Sequence, residues 1–252
     1  MNYCHDEIKL IALDLDGTLL NGVGEISELN RKAVKEAEQK GIIVILTTGR
    51  PYLFCRKIAN SLQLSSYLVT VNGSEIFDHK GHLIERHILS NNLIQWMWDL
   101  TKEYNAGFWA TSIDDVWRGE MPVDIEAHEW LKFGFIVEDN KVRMEINNLL
   151  AANAHLELSN SKPTNIEVNA AGINKARALE KVCGLLGCNM ENVMAIGDSL
   201  NDMAMIKAAG FGVAMGNAQD NVKDTADWIT ESNENDGVAI AIQQWILRTV
   251  NV

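Results

Sequence analysis

Positive charge is scarce in this chain: 22 lysines and arginines stand against 34 aspartates and glutamates, a formal net charge of −12. Such a surface repels nucleic-acid phosphates and anionic membranes, so neither is expected as a partner. The chain also lacks any cysteine pair at CxxC spacing. Cys4, Cys55, Cys183 and Cys188 stand apart, with no histidine cluster beside them. That argues against a zinc site or a disulfide frame and for free thiols in a reducing cytosol. Long apolar runs are missing as well. The aliphatic stretch at 42–46 suits a buried strand and is far too short to cross a bilayer. The first seven residues, 1–7, are polar and acidic. They have neither the basic n-region nor the apolar h-region of a signal peptide, so a cytoplasmic location is expected. No repeat or low-complexity segment occurs.

What is present is an ordinary globular composition: 252 residues, 47% hydrophobic and 22% charged. That suffices for one large domain or two modest ones. The first stretch alternates strand and helix signals. An apolar run at 8–13 ends in an acidic turn. Ser27 is placed to cap a helix reaching Lys40, with Gly41 as its stop. Strands are expected at 42–46 and 67–71, with a helix at 53–62 between them. The last third repeats the rhythm, with helices at 174–186, 200–208 and 238–247 and strands at 193–196 and 211–214. This pattern predicts an α/β fold, a Rossmann-like doubly wound parallel sheet. The middle breaks the rhythm. A hairpin turn at 78–81, a helical stripe of Leu93, Trp96, Met97, Leu100 and Tyr104, and strands at 133–137 and 166–168 read as an inserted α+β unit. The expected division is a core of 1–82 and 167–252 around a cap of 83–166.

Four segments carry chemistry. Asp14-Leu15-Asp16-Gly17-Thr18 follows the first apolar run. Residues two apart in extended chain point the same way, so both carboxylates face one spot beyond the strand's carboxyl end, where open α/β sheets bind ligands. A magnesium ion between them would relieve their repulsion. A plain acidic loop is the competing reading. Thr47-Thr48-Gly49-Arg50 offers a hydroxyl and free amides for a phosphate oxygen, or simply a turn and helix cap. Lys175 falls in the first turn of a helix, where the macrodipole disfavours a cation; that hints at a separate duty, but an ordinary surface lysine is the stronger reading on local evidence alone. Gly197-Asp198-Ser199-Leu200-Asn201-Asp202 places ligand-type residues between a strand and a helix, suited to a metal ligand and a phosphate contact; an N-cap cluster is the competing reading, and it accounts for Ser199 better than for both aspartates. All four segments are expected at strand ends of one parallel sheet.

In this order the motifs resemble those of haloacid-dehalogenase-superfamily hydrolases, in particular the Cof-type sugar-phosphatase branch with a C2B cap. Val71-Asn72-Gly73-Ser74 and the run from Val213-Ala214-Met215-Gly216 to Asp236-Gly237-Val238 also follow that branch. Ala176 departs from it, standing where the branch often has glycine, and the cap is short for it. The resemblance implies a Mg2+-dependent phosphatase acting on a small phosphate ester, of a sugar or polyol, through an aspartyl phosphate. Asp14 would be the nucleophile and Asp16 the general acid and base. Leu15, Thr48, Gly49, Lys175 and Asn201 would bind phosphate, and Asp14, Asp198 and the Asp16 carbonyl would hold the metal. Asp202 and Asn72 would support them, Asp202 by orienting the metal's waters or Lys175. A phosphomutase of the phosphomannomutase type and a non-catalytic phosphosugar sensor are the competing functions. The chain is expected as a monomer or homodimer. In the cap, Trp117 and Arg118 are the candidates for contacting the substrate's sugar or polyol part.

Overall fold

The computed structural model describes residues 8–248; Cys4 and the polar segment 1–7 lie outside the described residues. The chain begins with β1 (Leu10–Leu13), entirely buried, and continues through α1 (Glu28–Gln39), β2 (Ile43–Thr47), α2 (Tyr52–Ser61) and β3 (Leu68–Thr70). Ser27 caps α1 as expected, its Oγ accepting from the Asn30 amide at 3.1 Å, and Gly41 turns the chain out with a φ of +85°. The chain then doubles back through β4 (Glu75–Phe77) and β5 (Leu83–Arg86). These form the hairpin signalled at 78–81; the Asp78 carboxylate accepts from the amides of Lys80 and His82 to close the turn.

The inserted unit follows: α3 (Asn91–Glu103), β6 (Gly107–Ser112), β7 (Val116–Arg118), β8 (Trp130–Ile136), α4 (Asn140–Ala151), β9 (Leu156–Ser159) and β10 (Asn165–Ala170). The chain returns through α5 (Lys175–Leu186), β11 (Val193–Gly197), α6 (Leu200–Ala208), β12 (Phe211–Ala214), α7 (Asp220–Lys223), β13 (Trp228–Ile229) and α8 (Gly237–Ile242), which runs into a π-helical turn, Gln243–Leu247. One sheet has the order β13-β12-β11-β1-β2-β3-β4-β5 and is parallel from β13 to β3. This is the expected α/β core, flanked by helices that pack as pairs, α1 on α8 and α5 on α6. The second sheet, β7-β6-β8-β10-β9, is antiparallel and covered on one face by α3 and α4.

Two expectations about the division change. β5 pairs antiparallel with β4 at the edge of the core sheet, so residues 83–86 belong with the core. β10 pairs with β8 and β9, so the whole of 165–170 belongs with the inserted sheet and a boundary at 166/167 cuts through a strand. Both strands are joined by antiparallel hydrogen bonds to partners distant in sequence or across a turn, and local periodicity does not show which sheet a strand enters. By sheet membership the insertion lies between β5 and α5.

In the inserted sheet, alternation separates two faces. Phe108 and Ala110 of β6 and Phe133 and Phe135 of β8 join Met97, Leu100 and Ile146 in an apolar cluster under the helices. Trp109, Thr111, Arg118 and Lys132 take the opposite face, which looks onto the core.

Candidate active site

The register of the core sheet assembles the site. Leu13 pairs with Ile196 and Leu46, so β1, β2 and β11 end side by side. The next residues on β1 and β11 are Asp14 and, one beyond Gly197, Asp198. The Asp14 amide still donates to Ile196 O at 3.0 Å, which anchors it to the neighbouring strand. Thr48 follows β2, its amide bonded to Val69 O.

Lys175 reaches this point from the first turn of α5. That helix follows a strand of the inserted sheet, so the expected fourth strand end of the parallel sheet is instead a helix N-terminus. The Lys175 side chain is wholly buried. Its Nζ donates to Asp14 Oδ1 at 2.6 Å, to Asp202 Oδ1 at 2.7 Å and to Thr47 O at 3.0 Å, using all three ammonium protons. Asp202 therefore orients Lys175. Its other oxygen accepts from the amides of Asp198 and Ser199 at 3.1 Å each, closing the N-terminal turn of α6. The Asp198 carboxylate accepts from Thr18 Oγ1 at 3.2 Å and Ser199 Oγ at 2.9 Å. It crosses directly over Gly17, where a Cβ would collide with it, and Gly17 also has a φ of +82°. Glycine is required there on both counts.

Charge is finely set. Burial above all, then the neighbouring Asp202, pushes the Asp14 carboxyl well above the ordinary range, with Lys175 opposing. Burial and Asp202 push Asp198 up to about 7. Burial alone would lower the Lys175 ammonium, but Asp14 and Asp202 outweigh it and raise it. Carboxylate oxygens of Asp14, Asp198 and Asp202 lie within 4.8 Å of one another. An all-oxygen donor set of this kind fits a hard divalent cation. Asp202 is committed to Lys175 and to the amides that open α6, whereas Asp14 and Asp198 line the cleft.

Above these groups opens a cleft of about 800 Å3 between the core and the inserted sheet. Asp14, Asp16, Gly49, Asp198 and Asn201 line its core side. Leu15, Thr48, Lys175 and Asp202 are fully buried beneath it. Thr48 Oγ1 accepts from the Arg50 amide at 3.1 Å, shaping the loop that carries Gly49. Asp16 stands apart from Asp14. Its half-exposed carboxylate is gripped by Arg50, Nε to Oδ2 at 2.7 Å and Nη2 to Oδ1 at 2.5 Å. Asn72, at a φ of +59°, accepts from Asn201 Nδ2 at 3.3 Å and donates to Glu167 Oε2 at 2.6 Å, linking core to inserted unit.

With a carboxylate pair two residues apart, a buried lysine and an acidic strand end in one cleft, the comparison with known families is direct. The model of the haloacid dehalogenase-like hydrolases matches residues 11–145 and 120–242. The chain belongs to this family. The hydrolase is 60% identical over 241 residues to 5-amino-6-(5-phospho-D-ribitylamino)uracil phosphatase YcsE of Bacillus subtilis, covering 96% of this chain and 97% of that one. It is 29% identical to HMP-PP phosphatase of Cronobacter sakazakii, over 83% of this chain and 85% of that one. A solved subclass IIB sugar phosphatase of the superfamily, BT4131, superposes with a TM-score of 0.82 over 94% of this chain and 98% of its own, at 21% identity, and so shares the fold.

The two cap residues expected at the substrate part company. Arg118 of the hydrolase lines the cleft. Trp117 lies on the other face of β7, packed on the apolar cluster and edge-on to His128 at 5.1 Å between ring centroids. Adjacent residues of a strand point to opposite faces, so the two cannot share the cleft. On the cap side of the cleft the aromatic residue is Trp109, opposite Arg118 in the β6–β7 register. Lys132 and Glu167 are further cleft residues that were not anticipated, joined at 3.2 Å, with Lys132 also donating to Gly49 O at 2.9 Å. Their signal in the sequence is a charge at alternate positions of otherwise apolar strands.

Proposed function

We propose that this hydrolase, a phosphatase of small phosphorylated metabolites, removes the phosphate of 5-amino-6-(5-phospho-D-ribitylamino)uracil, a polyol phosphate carrying a heterocycle, with magnesium and through an aspartyl phosphate on Asp14. The observation that carries the mechanism is the Asp14 carboxylate at the cleft floor, one oxygen fixed by Lys175 and a second acid, Asp16, two residues on. The substrate comes from the relative that is 60% identical along nearly the whole chain. The reaction belongs in the cytoplasm, where Cys55, Cys183 and Cys188 stay as the free thiols they are here.

In this reading an Asp14 oxygen attacks phosphorus as the bond to the ribityl oxygen breaks, and the Asp16 carboxyl gives its proton to that oxygen. Asp16 then takes a proton from water. The resulting hydroxide displaces Asp14, releasing inorganic phosphate and restoring the carboxylate. Asp16 reaches these oxygens by leaving Arg50, a rotation open to a half-exposed side chain. Lys175 keeps a cation beside Asp14 throughout, and Gly49 and Asn201 bound the space for the equatorial phosphoryl oxygens. The Asp14 and Asp198 carboxylates would hold magnesium, which would supply positive charge against the phosphoryl oxygens.

Phosphate release from a panel of phosphomonoesters tests this. The ribitylaminouracil phosphate is expected to be turned over best, with loss of activity in excess chelator and recovery on adding magnesium. Asp14→Asn is expected to keep the fold and reduce turnover at least about 10^3-fold, since an amide is no nucleophile. Undiminished release by Asp14→Asn, or by chelated enzyme, refutes the mechanism; a different best substrate refutes the substrate.

A further inference from the structure

Five of the seven tryptophans fall in the inserted unit or on its edge strands, and four of them, Trp96, Trp98, Trp117 and Trp130, pack with its apolar cluster. Trp109 does not. It is half-buried on the cleft face of β6, between Phe108 and Ala110, which both point the other way into the cluster. Gly134 lies opposite it on β8. A Cβ there would collide with indole Cδ2, Cε2 and Cζ2 together. The ring therefore lies across the glycine, against the sheet and within the lining of the cleft. Lys132 Nζ lies over the ring, 5.9 Å from its centroid, and Arg118 is the cross-strand neighbour of Trp109. On the core side the same cleft is lined by Phe54, 58% exposed on α2. This aromatic plane lines the cleft that contains Asp14 and lies outside the cap's apolar cluster.

We infer that Trp109 is a specificity-determining residue: its indole stacks on a planar heterocycle at the end of the substrate remote from the phosphoryl group, and Arg118 donates to that ring's carbonyl oxygens. This rests on the substrate reading above. Gly134 is the seat that allows the stack, and phosphate chemistry at Asp14 needs neither residue. A polyol phosphate without a ring then binds by its phosphoryl end and chain alone.

The test compares kcat/KM for 5-amino-6-(5-phospho-D-ribitylamino)uracil and for ring-free ribitol 5-phosphate, in wild type, Trp109→Ala and Trp109→Phe. Wild type is expected to favour the ring-bearing ester. Trp109→Ala is expected to reduce kcat/KM on that ester by roughly 10-fold or more, chiefly through KM, as loss of one stacked ring does. Its rate on ribitol 5-phosphate is expected to stay within about twofold, which also reports an intact fold. Trp109→Phe is expected to retain most of the preference. Equal losses on both esters, or no loss on either, overturn the inference and leave the phosphatase reading standing. A wild type that hydrolyses neither ester overturns the substrate reading and the inference with it.

Discussion

The Lys175 ammonium has no exposed surface and touches two carboxylates, and an Asp198 oxygen lies within 4.8 Å of oxygens of both Asp14 and Asp202. A buried charge of this kind is tolerated only because each partner needs the other. Lys175→Met removes the cation from among three carboxylates. In excess chelator it is expected to cost about 3–5 kcal/mol of stability by urea denaturation, and to abolish turnover. Unchanged stability would mean that Lys175 is not balancing this charge. The sequence only hinted at Lys175, through a cation set against the macrodipole, and the motif order singled it out; the compensation is Asp14 and Asp202. The Arg50 grip on Asp16 was not legible. Asp-x-Asp spacing places both side chains toward one spot only while the chain stays extended, and here the second carboxylate turns to a guanidinium on the next loop.

Among the elements, the core strands and helices stand close to their expected positions because buried parallel strands announce themselves as apolar runs and their helices carry capping signals. The bounds of 200–208 and 211–214 coincide with α6 and β12. The inserted sheet was less legible. Its strands alternate, so Trp117 and Arg118, adjacent in sequence, face opposite sides, and it is Trp109 across the ladder that shares the cleft with Arg118. Gly134 gives a test at this scale. Gly134→Ala needs no unusual backbone conformation, but its methyl group must push the Trp109 indole off the sheet. The cost in stability is expected to be about 1–3 kcal/mol, as for other overpacked sites. Selectivity between ring-bearing and ring-free esters is expected to fall as in Trp109→Ala, with ring-free hydrolysis retained. Full selectivity in Gly134→Ala would show that the indole does not depend on this seat.

At the scale of the molecule, the cap meets the core through a buried polar junction. Lys132 of β8 donates to Gly49 O in the core and to Glu167 of β10, and Glu167 accepts from core Asn72 and from Ser161. Asn169 adds bonds to Val71 O and Ser74 Oγ. The junction thus ties the loop beside Asp14 to the sheet that carries Trp109, and opening the cleft at this edge would strip partners from two buried charges. Burial alone would raise the Glu167 carboxyl, but the Lys132 ammonium and the hydrogen bonds from Ser161 and Asn72 outweigh it and hold it below its ordinary 4.5. For an acid whose folded pKa is depressed, the stabilisation is complete above the unfolded value and is lost as pH falls through the folded one. Glu167→Gln leaves Lys132 buried without its carboxylate, and at pH 7 this is expected to cost about 3 kcal/mol. The gap between wild type and Glu167→Gln should hold from pH 7 to about 5, then narrow as the pH drops below 4.5, where the wild-type carboxylate takes up its own proton. Urea denaturation of both proteins at a series of pH values measures it. A gap that stays constant down to pH 3, or one that widens, would show that the Glu167 charge is not what holds cap and core together.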